Sequence, residues 1–358
     1  MSKAIKIRKG LDIKLKGKAE KIFMRPDPAD LYAVKPTDFH NLIPKLTVKT
    51  DDVVKAGTPL FFDKYHPEVY LTSPVSGRIA AINRGERRMM LQVVIKADAE
   101  IEYESFVKGE PTRMSVKDIK NNLLKSGLWP TIRQRPYDII ANPEDMPKAI
   151  FISAFDTAPL APDYDFIVRD CEADFQTGID ALSKLTVGNV HVNINDKYPA
   201  SQVFTGVRNV QINKLRGPHP AGTVGTQIHH IDPINKGDIV WYISPQDVIT
   251  IGRLFDRGIY DASKVIALAG SEVIKPRYYK IIGGTSIKNI IKDNIKDGNH
   301  RFISGNVLTG SKIVREGFVG YYDSLITAIP EGDHFELLGW AMPGFSKYSV
   351  SRSFWSWL

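Results

Sequence analysis

Apolar and polar residues alternate at strand spacing in the first third of the chain. Short β-prone runs lie between residues 46 and 95, separated by turns, and they read LTVKTDDVVKAGTPLFF, EVYLTSPVSGRIAAINRG and RMMLQVVIKA. A period of two places every second side chain on the same face of a sheet. The pattern predicts an all-β module in this part of the chain.

Helical spacing and short buried strands alternate in the middle of the chain. Residues 116–126 place apolar side chains on one helical face, and Gly127 is a typical helix end. Residues 128–136 then have the composition of a linker. The further predicted elements are strands at 149–155, 190–194 and 238–243 and helices at 172–185 and 246–255. This alternation predicts a Rossmann-like α/β domain.

Strands predominate again in the last third. They are predicted at 264–269, 277–282 and 302–307, with a helix at 287–295. Strands around one helix predict a small β-grasp-like module. We therefore expect an α/β multidomain protein, α+β overall, and its expected domains are 1–105, 106–258 and 259–358.

Composition narrows the class of protein further. The 358 residues are 43% hydrophobic and 25% charged, which is ordinary for a globular protein. No apolar run reaches the roughly 18 residues of a membrane span, and the N-terminus lacks the apolar core of a secretory signal. We therefore expect a chain retained in the cytoplasm. Cys171 is the one cysteine, which excludes an internal disulfide and a four-cysteine zinc or iron–sulfur site.

The two ends of the chain are unusual in opposite ways. Residues 1–21 hold eight Lys and Arg against two acidic residues, whereas the whole chain carries a net charge of +8. Such a segment suits anionic lipid or an acidic protein partner, or else it is the solvated face of an edge strand. Nucleic acid is disfavoured, because aromatics are not interleaved with these charges. Residues 345–358 are more apolar than a free tail, so we expect them to dock or to lead into further chain.

A glycine-rich stretch, LRGPHPAGTVGTQIHHID at 215–232, is the candidate site. Its glycines and prolines predict a shaped loop whose N–H groups can face an anion, and we expect side chains at Gly222 and Gly225 to strain the backbone. The spacing is only G-x-x-G, and it follows the strands expected to lead into a phosphate-binding helix. A loop that merely connects two domains is the alternative.

The first predicted strand of the α/β domain is followed by an unusual turn. A nucleotide-binding fold needs glycines there, but residues 156–162 read DTAPLAP, with two prolines and no glycine. Proline has no N–H to give to a phosphate. The sequence therefore predicts a Rossmann-like domain without its phosphate turn.

Histidines in the glycine-rich stretch are the remaining candidates for chemistry. His219, His229, His230 and Asp232 could in principle bind a metal ion or transfer protons, but adjacent histidines on an extended segment point to opposite faces. Histidines bonded to the loop backbone are the simpler interpretation. A quinone needs a flat slot and donors to its oxygens, which His219, Thr226 and His229 would supply. The candidate quinone or degenerate nucleotide loop is thus His219, Gly222, Gly225, Thr226 and His229.

An ordered set of motifs along most of the chain carries a family resemblance. The motifs are VKAG at 54–57, FFDK at 61–64, SPVSG at 73–77, AINRGE at 81–86, GPHPAG at 217–222, IGRLF at 251–255, ALAG at 267–270, ISG at 303–305 and FELLGWAMPG at 335–344. The chain resembles the NqrA family of Na+-translocating NADH:quinone oxidoreductases, which is related to the iron–sulfur RnfC protein of the Rnf complex and to the flavin-bearing NADH subunit of complex I. The resemblance implies barrel-sandwich, Rossmann-like and SLBB-type β-grasp domains.

The resemblance also implies a function. Such a chain is a peripheral subunit on the cytoplasmic face of the bacterial inner membrane, in a complex that oxidises NADH, reduces quinone and exports Na+. Its expected partners are the other subunits, chiefly a membrane subunit, and these are expected to hold the FAD, FMN and iron–sulfur centres. The chain itself is expected to hold no such cofactor, to be inactive alone, and to contact quinone at most.

Two other functions remain open at this point. The first is a stand-alone ligand-binding protein built from the barrel-sandwich and β-grasp modules. The second is a carrier, because the order D-x-V-x-x-G followed by SPVSGRI resembles biotinyl and lipoyl domains. Lys64 would then be the attachment site, although it lacks flanking methionines and Pro67 follows closely.

Overall fold

The computed structural model describes residues 4–333 and 335–339. The strands are β1 (Ile5–Lys6), β2 (Glu20–Met24), β3 (Leu31–Val34), β4 (Pro44–Leu46), β5 (Val53–Val54), β6 (Pro59–Asp63), β7 (Tyr70–Thr72), β8 (Gly77–Arg84), β9 (Met90–Ala97), β10 (Arg133–Arg135), β11 (Ile139–Ile140), β12 (Ala149–Ser153), β13 (Val190–Asn195), β14 (Gln211–Arg216), β15 (Val240–Ile243), β16 (Ser263–Ala269), β17 (Arg277–Ile282), β18 (His300–Ser304), β19 (Ser311–Ile313) and β20 (Leu325–Pro330). The apolar end at 345–358 lies outside the described residues.

Within the described residues, helices are fewer than strands. The α-helices are α1 (Val116–Ser126), α2 (Tyr164–Ile167), α3 (Glu172–Ser183), α4 (Gln202–Thr205), α5 (Val224–Ile231), α6 (Pro245–Arg257) and α7 (Lys288–Ile291). Short 3-10 turns lie at Pro36–Asp38, Glu86–Arg88, Pro111–Arg113 and Trp129–Thr131. The long helices begin and end as their sequences require. Ser115 and Ser244 cap the first turns of α1 and α6, and Gly127 and Gly258 end them in left-handed conformations.

The predicted all-β module consists of two facing sheets. One has the order β3-β9-β8-β5 and the other β4-β6-β7. Their inward side chains form one core, which includes Leu60, Phe61, Leu71, Ile79, Val93 and Ile95. Burial alternates along the first half of β8, as a strand with one wet face requires. The all-β prediction for this part of the chain is confirmed.

The α/β domain is built on a seven-stranded sheet of order β1-β14-β13-β12-β15-β10-β11. Strands β12, β13, β14 and β15 are parallel, and β12 lies between β13 and β15. Ile150 and Ile152 pack with α3 and α6 on one face, whereas Phe151 packs with Ile228 of α5 on the other. The chain adds strands first on one side of β12 and then on the other, so the order reverses between β12 and β15. In such folds ligands bind at the carboxyl ends of the strands where the order reverses.

Two segments take part in this sheet although the sequence assigned them elsewhere. Residues 128–136, expected to be a linker, contain β10, which pairs with β15, and buried Trp129 packs edge-on against Trp241 with ring centroids 5.5 Å apart. The basic N-terminus, grouped with the barrel, supplies β1 to the edge of the seven-stranded sheet. The linker prediction was wrong because the contacts that bury Trp129 come from β15, which is distant in sequence.

The third domain is a six-stranded sheet of order β19-β18-β20-β16-β17-β2. Its last strand, β2, again comes from the N-terminus. The helix predicted at 287–295 is only the single turn α7, because Lys292 turns to an extended conformation and Asp293 is left-handed (φ 54°). The strand predicted at 302–307 begins earlier, at His300. The predicted strands around one helix are confirmed, and the exact domain boundaries stay a prediction.

Candidate functional site

An open cleft of about 750 Å³ lies where the three domains meet. It is at the carboxyl ends of the parallel strands, because Asp156 follows β12, His219 and Gly222 follow β14, and Tyr242 lies on β15. The first domain adds Asp38, and the third adds residues 305–325 in part, including Tyr321 and Tyr322. The volume suits a ligand of small-molecule size. We call this site the interdomain cleft.

The glycine-rich stretch forms one wall of the interdomain cleft. It connects β14 to α5, whose first residue is Val224. The expectation that this loop follows the strands that could lead into a helix was therefore wrong. Strand β14 had not been predicted, because its six residues, QINKLR, are mostly polar and do not alternate with apolar ones. The loop thus occupies a strand-to-helix position at the ligand-binding edge of the sheet.

Gly222 is required by packing and not by its backbone angles. A Cβ at this position would lie 2.5 Å from the backbone nitrogen of Thr157, and φ is not in the left-handed region. Gly225 lies in α5 and a Cβ there would meet nothing within 4 Å. The expectation of backbone strain was wrong for both residues, although Gly222 remains a position where a side chain does not fit.

Hydrogen bonds fix the loop on the turn after β12. The Gly222 N–H donates to Thr157 Oγ1 at 2.9 Å, and His219 Nδ1 lies 3.2 Å from the same hydroxyl. The His219 N–H donates to Asp12 Oδ1 at 2.9 Å, so the N-terminal segment holds the loop from its other side. His219 is therefore positioned from both sides at the wall of the cleft.

A buried network of polar side chains connects the glycine-rich loop to the strands of the sheet. Ser153 Oγ accepts from Gln227 Nε2 at 2.8 Å, and Gln227 also donates to the Ala221 carbonyl at 3.2 Å. Asn193 Nδ2 donates to Gln227 Oε1 at 2.8 Å. These groups have partners on β12, β13, α5 and the loop, so the loop is tied to the centre of the sheet. Such a fully paired buried network rigidifies its surroundings.

The network ends at a buried histidine. Asn213 Nδ2 donates to Asn193 Oδ1 at 2.9 Å and lies 3.1 Å from His191 Nδ1. An amide nitrogen can only donate, so Nδ1 of His191 is the unprotonated acceptor in this contact. The imidazole also stacks on Phe151, with ring centroids 4.5 Å apart. Burial lowers the pKa of His191, which favours the neutral ring that the network needs.

Two arginines and two tyrosines line the cleft beyond β12, on the side away from the glycine-rich loop. The Arg133 guanidinium carbon lies 4.5 Å from the Tyr242 ring centroid and 4.3 Å from that of Tyr322. Its Nη1 is 3.5 Å from Asp138 Oδ1, and the Tyr242 hydroxyl donates to the same carboxylate. Arg135 also lies over Tyr242, at 5.1 Å. Burial raises the pKa of both tyrosines, so both hydroxyls keep their protons.

Sequence reasoning missed this cluster. Arg133 and Arg135 are two residues apart, a spacing that puts both side chains on one face of a strand, but the strand itself had been assigned to a linker. Within the described part of the chain, Arg135 Nε and the Tyr321 hydroxyl are buried without a hydrogen-bond partner. Both residues line the cleft. A buried donor without a hydrogen-bond acceptor lowers the stability of the folded protein.

The turn after β12 binds its own carboxylate. Asp156 Oδ1 accepts from the Ala158 N–H at 2.9 Å, and the Thr157 N–H also bonds the carboxylate. Burial raises the pKa of Asp156, an effect that these two amides oppose. The amides that a phosphate turn would offer to a ligand are therefore already paired, and the adjacent loop covers the turn at Gly222. The turn therefore lacks both the glycines and the unpaired amide groups of a phosphate-binding turn.

The structure does not bring the five predicted site residues to one surface. His219 and Gly222 line the cleft, but Gly225, Thr226 and His229 lie along α5 and are not among its lining residues. His229 and His230 occupy the last turn of this helix, not an extended segment, and both are exposed. Among the described residues no three His, Cys, Asp or Glu are grouped to hold a metal ion. Lys64, the carrier alternative, is exposed between β6 and β7.

Replacing Gly222 should destabilise the domain. We expect Gly222→Val to lower the free energy of unfolding by about 1–3 kcal/mol, because the side chain would overlap the backbone after β12. The matched control is Gly225→Ala, which fills open space within a helix and should be neutral or stabilising by up to about 1 kcal/mol. Urea unfolding of both variants measures the difference. Equal stability of Gly222→Val and the parent chain would contradict the packing argument.

Acid should weaken the network through His191. Its folded pKa is lowered, whereas in the unfolded chain it titrates near its usual value of about 6.5. The stabilisation is complete above that pH and is lost as pH falls below it toward the folded pKa. Between pH 7.5 and 5.5 the parent chain should lose more unfolding free energy than His191→Gln, whereas exposed His40→Gln should behave like the parent. Parallel losses in all three proteins would exclude His191 as the cause.

Comparison with known proteins adds the family. Three family descriptions match in order: NqrA N-terminal barrel-sandwich hybrid domain at residues 5–98, NqrA second alpha/beta domain at 114–260, and NQRA C-terminal domain, of the SLBB type, at 265–315. They confirm the predicted fold class. A solved NAD+-reducing NiFe hydrogenase is similar at a TM-score of 0.37 and 11% identity, over 52% of this chain and 41% of that chain, which is too weak for any argument.

Curated relatives match over nearly the whole chain. The NqrA protein of the Na(+)-translocating NADH-quinone reductase of Yersinia pestis is 39% identical over 354 residues, covering 98% of this chain and 78% of the relative. The protein of the same name from Neisseria meningitidis serogroup B is 39% identical over 355 residues, and that from Pasteurella multocida 36% over 352, with the same coverage. At this identity and coverage, the chain belongs to the NqrA family of Na+-translocating NADH-quinone reductases.

Proposed function

We propose that this chain is the NqrA component of a Na+-translocating NADH:quinone reductase and works as a peripheral subunit on the cytoplasmic face of the bacterial inner membrane. The observation that carries the proposal is the 39% identity over 98% of the chain to relatives of that name. Within the described residues, no helix has the length and apolar character needed to span a membrane. Other subunits, chiefly a membrane subunit, would then anchor it.

Redox centres in this proposal belong to the partner subunits. The turn after β12 is the place where a Rossmann-like domain binds a pyrophosphate, and here its amides bond Asp156. A second negative charge brought to this turn would be repelled by that carboxylate whenever it is ionised. Cys171 offers one thiolate, where an iron–sulfur cluster usually takes four. FAD, FMN and iron–sulfur centres are therefore assigned to the rest of the complex.

The interdomain cleft is our candidate for contact with quinone. A quinone ring is flat and carries two carbonyl acceptors, so it needs aromatic surfaces and donors. The rings of Tyr242 and Tyr322 supply the surfaces, and the guanidinium of Arg133, which lines the cleft, supplies N–H donors for the carbonyl oxygens. His219, held by Thr157 and Asp12, is a further donor or acceptor at the wall. Thr226 and His229 are left out of this site, because they lie along α5.

The basic N-terminal segment is our candidate for the assembly surface. Lys14, Lys16 and Lys18 are exposed and form no ion pair with any described residue. The segment runs between β1 and β2, so it is held at both ends by sheets of two different domains. A fixed row of unpaired lysines attracts an acidic protein or anionic headgroups at a modest gain for each charge.

Charge reversal of this segment should weaken assembly. We expect Lys14→Glu, Lys16→Glu and Lys18→Glu combined to reduce recovery of the chain with the membrane subunits, most strongly at low ionic strength, because salt screens exposed charges. The control reverses three exposed lysines elsewhere, Lys236→Glu, Lys288→Glu and Lys292→Glu, with the same change in net charge. Co-purification from membranes at two salt concentrations measures the effect. Equal recovery of both triple variants would contradict this assembly surface.

Co-purification from membranes also distinguishes a subunit of the complex from a stand-alone ligand-binding protein. A stand-alone ligand-binding protein would be recovered without membrane subunits under every condition. The isolated chain should be colourless and should not oxidise NADH with a soluble quinone, since in this proposal the redox centres that accept electrons from NADH belong to partner subunits. A stoichiometric flavin or iron chromophore, or turnover by the chain alone, would contradict the proposal.

Quinone contact at the cleft has its own test. We expect the purified chain to bind ubiquinone-1, and Arg133→Gln to weaken this binding about tenfold by removing the cation between two rings. The control is Arg315→Gln, an exposed arginine outside the cleft. Calorimetric titration measures both dissociation constants. If the two variants bind ubiquinone-1 equally, the quinone is not held at the interdomain cleft, while membership of the complex is unaffected.

A further inference from the structure

A second, smaller pocket lies between the α/β domain and the six-stranded sheet. Its volume is about 230 Å³, and it shares no lining residue with the interdomain cleft. The residues that give it its character are Phe23, Arg169, Cys171, Ile249, Arg253 and Lys280. They come from β2, the turn between α2 and α3, α6 and β17, so the pocket forms only when these elements pack together. We call it the Arg169 pocket.

Two cations at this pocket form no ion pair within the described part of the chain. The Arg169 guanidinium carbon lies 5.3 Å from the Phe23 ring centroid and 4.5 Å from that of Phe166. Lys280 Nζ lies 4.6 Å from the same Phe23 ring. Neither side chain makes an ion pair or a hydrogen bond with any residue that the structure describes. Aromatic contact thus gathers two like charges around one ring, and neither forms an ion pair with a described residue.

The inner wall of the pocket carries a third cation, Arg253, which is already paired with two carboxylates. Arg253 Nε bonds Asp174 at 2.9 Å and its Nη1 lies 3.5 Å from Asp261 Oδ2, so the guanidinium is held rigidly. Its third nitrogen, Nη2, lies 4.0 Å from Cys171 Sγ. Among the lining residues the acidic one is Asp170, which is exposed and forms no ion pair with a described residue. Lys264 also lines the pocket, but its ammonium donates to the Tyr321 carbonyl, away from it.

We infer that the Arg169 pocket binds an oxyanion of the phosphate class, either free phosphate or the phosphate of a small ester or lipid headgroup. The guanidinium of Arg169 and the ammonium of Lys280 would provide charge-assisted hydrogen bonds, and such bonds are about twice as strong as neutral ones. Ile249 and Val265 form the apolar part of the pocket lining. The volume is too small for a dinucleotide. This site is independent of the function proposed above, because it shares none of the cleft's residues.

The single cysteine provides a built-in reporter. Cys171 is partly buried and lines the pocket, and it is the one thiol of the chain. A bound oxyanion would block a neutral alkylating reagent such as iodoacetamide from reaching Sγ. The rate of alkylation therefore reports occupancy of this pocket and is insensitive to anions bound elsewhere.

The experiment titrates the purified full chain with inorganic phosphate at constant ionic strength. Calorimetry should give saturable binding of one phosphate, and phosphate should slow alkylation of Cys171. Arg169→Gln and Lys280→Gln should each weaken binding about tenfold and remove the protection of Cys171. Lys280→Arg should retain both effects. The matched controls are Arg315→Gln and Lys288→Gln, which remove exposed cations elsewhere on the chain and should bind phosphate as the parent does.

Each outcome bears on the inference. Absence of saturable binding, or equal weakening in the control variants, would overturn it, since either result means only diffuse attraction to a basic protein. Both cations are exposed, so loss of folding is not expected, and unchanged melting without phosphate verifies this in each variant. A parallel titration with phosphatidylcholine vesicles containing phosphatidate identifies the source. Binding to vesicles that depends on Arg169 and Lys280 supports a headgroup, whereas protection by soluble phosphate alone supports a free phosphate or ester.

Discussion

The close contact between Gly222 and the turn after β12 is the constraint on which the ligand-binding edge depends. A side chain at Gly222 would overlap the Thr157 backbone, so the loop and the turn can approach only through this glycine. The Ser153–Gln227–Asn193 network connects the loop to the sheet, and Asp12 of the N-terminal segment accepts a hydrogen bond from the His219 N–H. Because the loop is fixed on both sides, the cleft beside it has a defined wall.

The turn after β12 also explains why we assign no nucleotide to this Rossmann-like domain. The strand order still reverses between β12 and β15, so the fold keeps its ligand-binding crevice. The amides of the first turn, however, bond the Asp156 carboxylate. What the crevice offers instead is an arginine between two tyrosine rings. In our proposal, this crevice takes a flat, polar ligand in place of a phosphate.

The N-terminal segment connects the three domains physically. It contributes β1 to the seven-stranded sheet and β2 to the six-stranded sheet before it enters the barrel. Phe23 of β2 also stacks on Phe166 of the α/β domain at 4.3 Å. The cleft and the Arg169 pocket both lie at domain junctions, so this segment helps to set the geometry of each. Its exposed lysines are therefore carried on a rigid support and not on a free tail.

Local sequence patterns predict the all-β module, the α/β alternation, the strands of the third domain and the absence of a glycine fingerprint. These follow from local periodicity and from residue types at fixed offsets. The other features depend on contacts between segments that are distant in sequence. Polar β14 is a strand because β13 and β1 pair with it, Trp129 is buried because Trp241 packs against it, and Arg133 reaches the cleft because β10 joins β15. Pairing and burial of this kind depend on residues far apart in sequence, which no local pattern records.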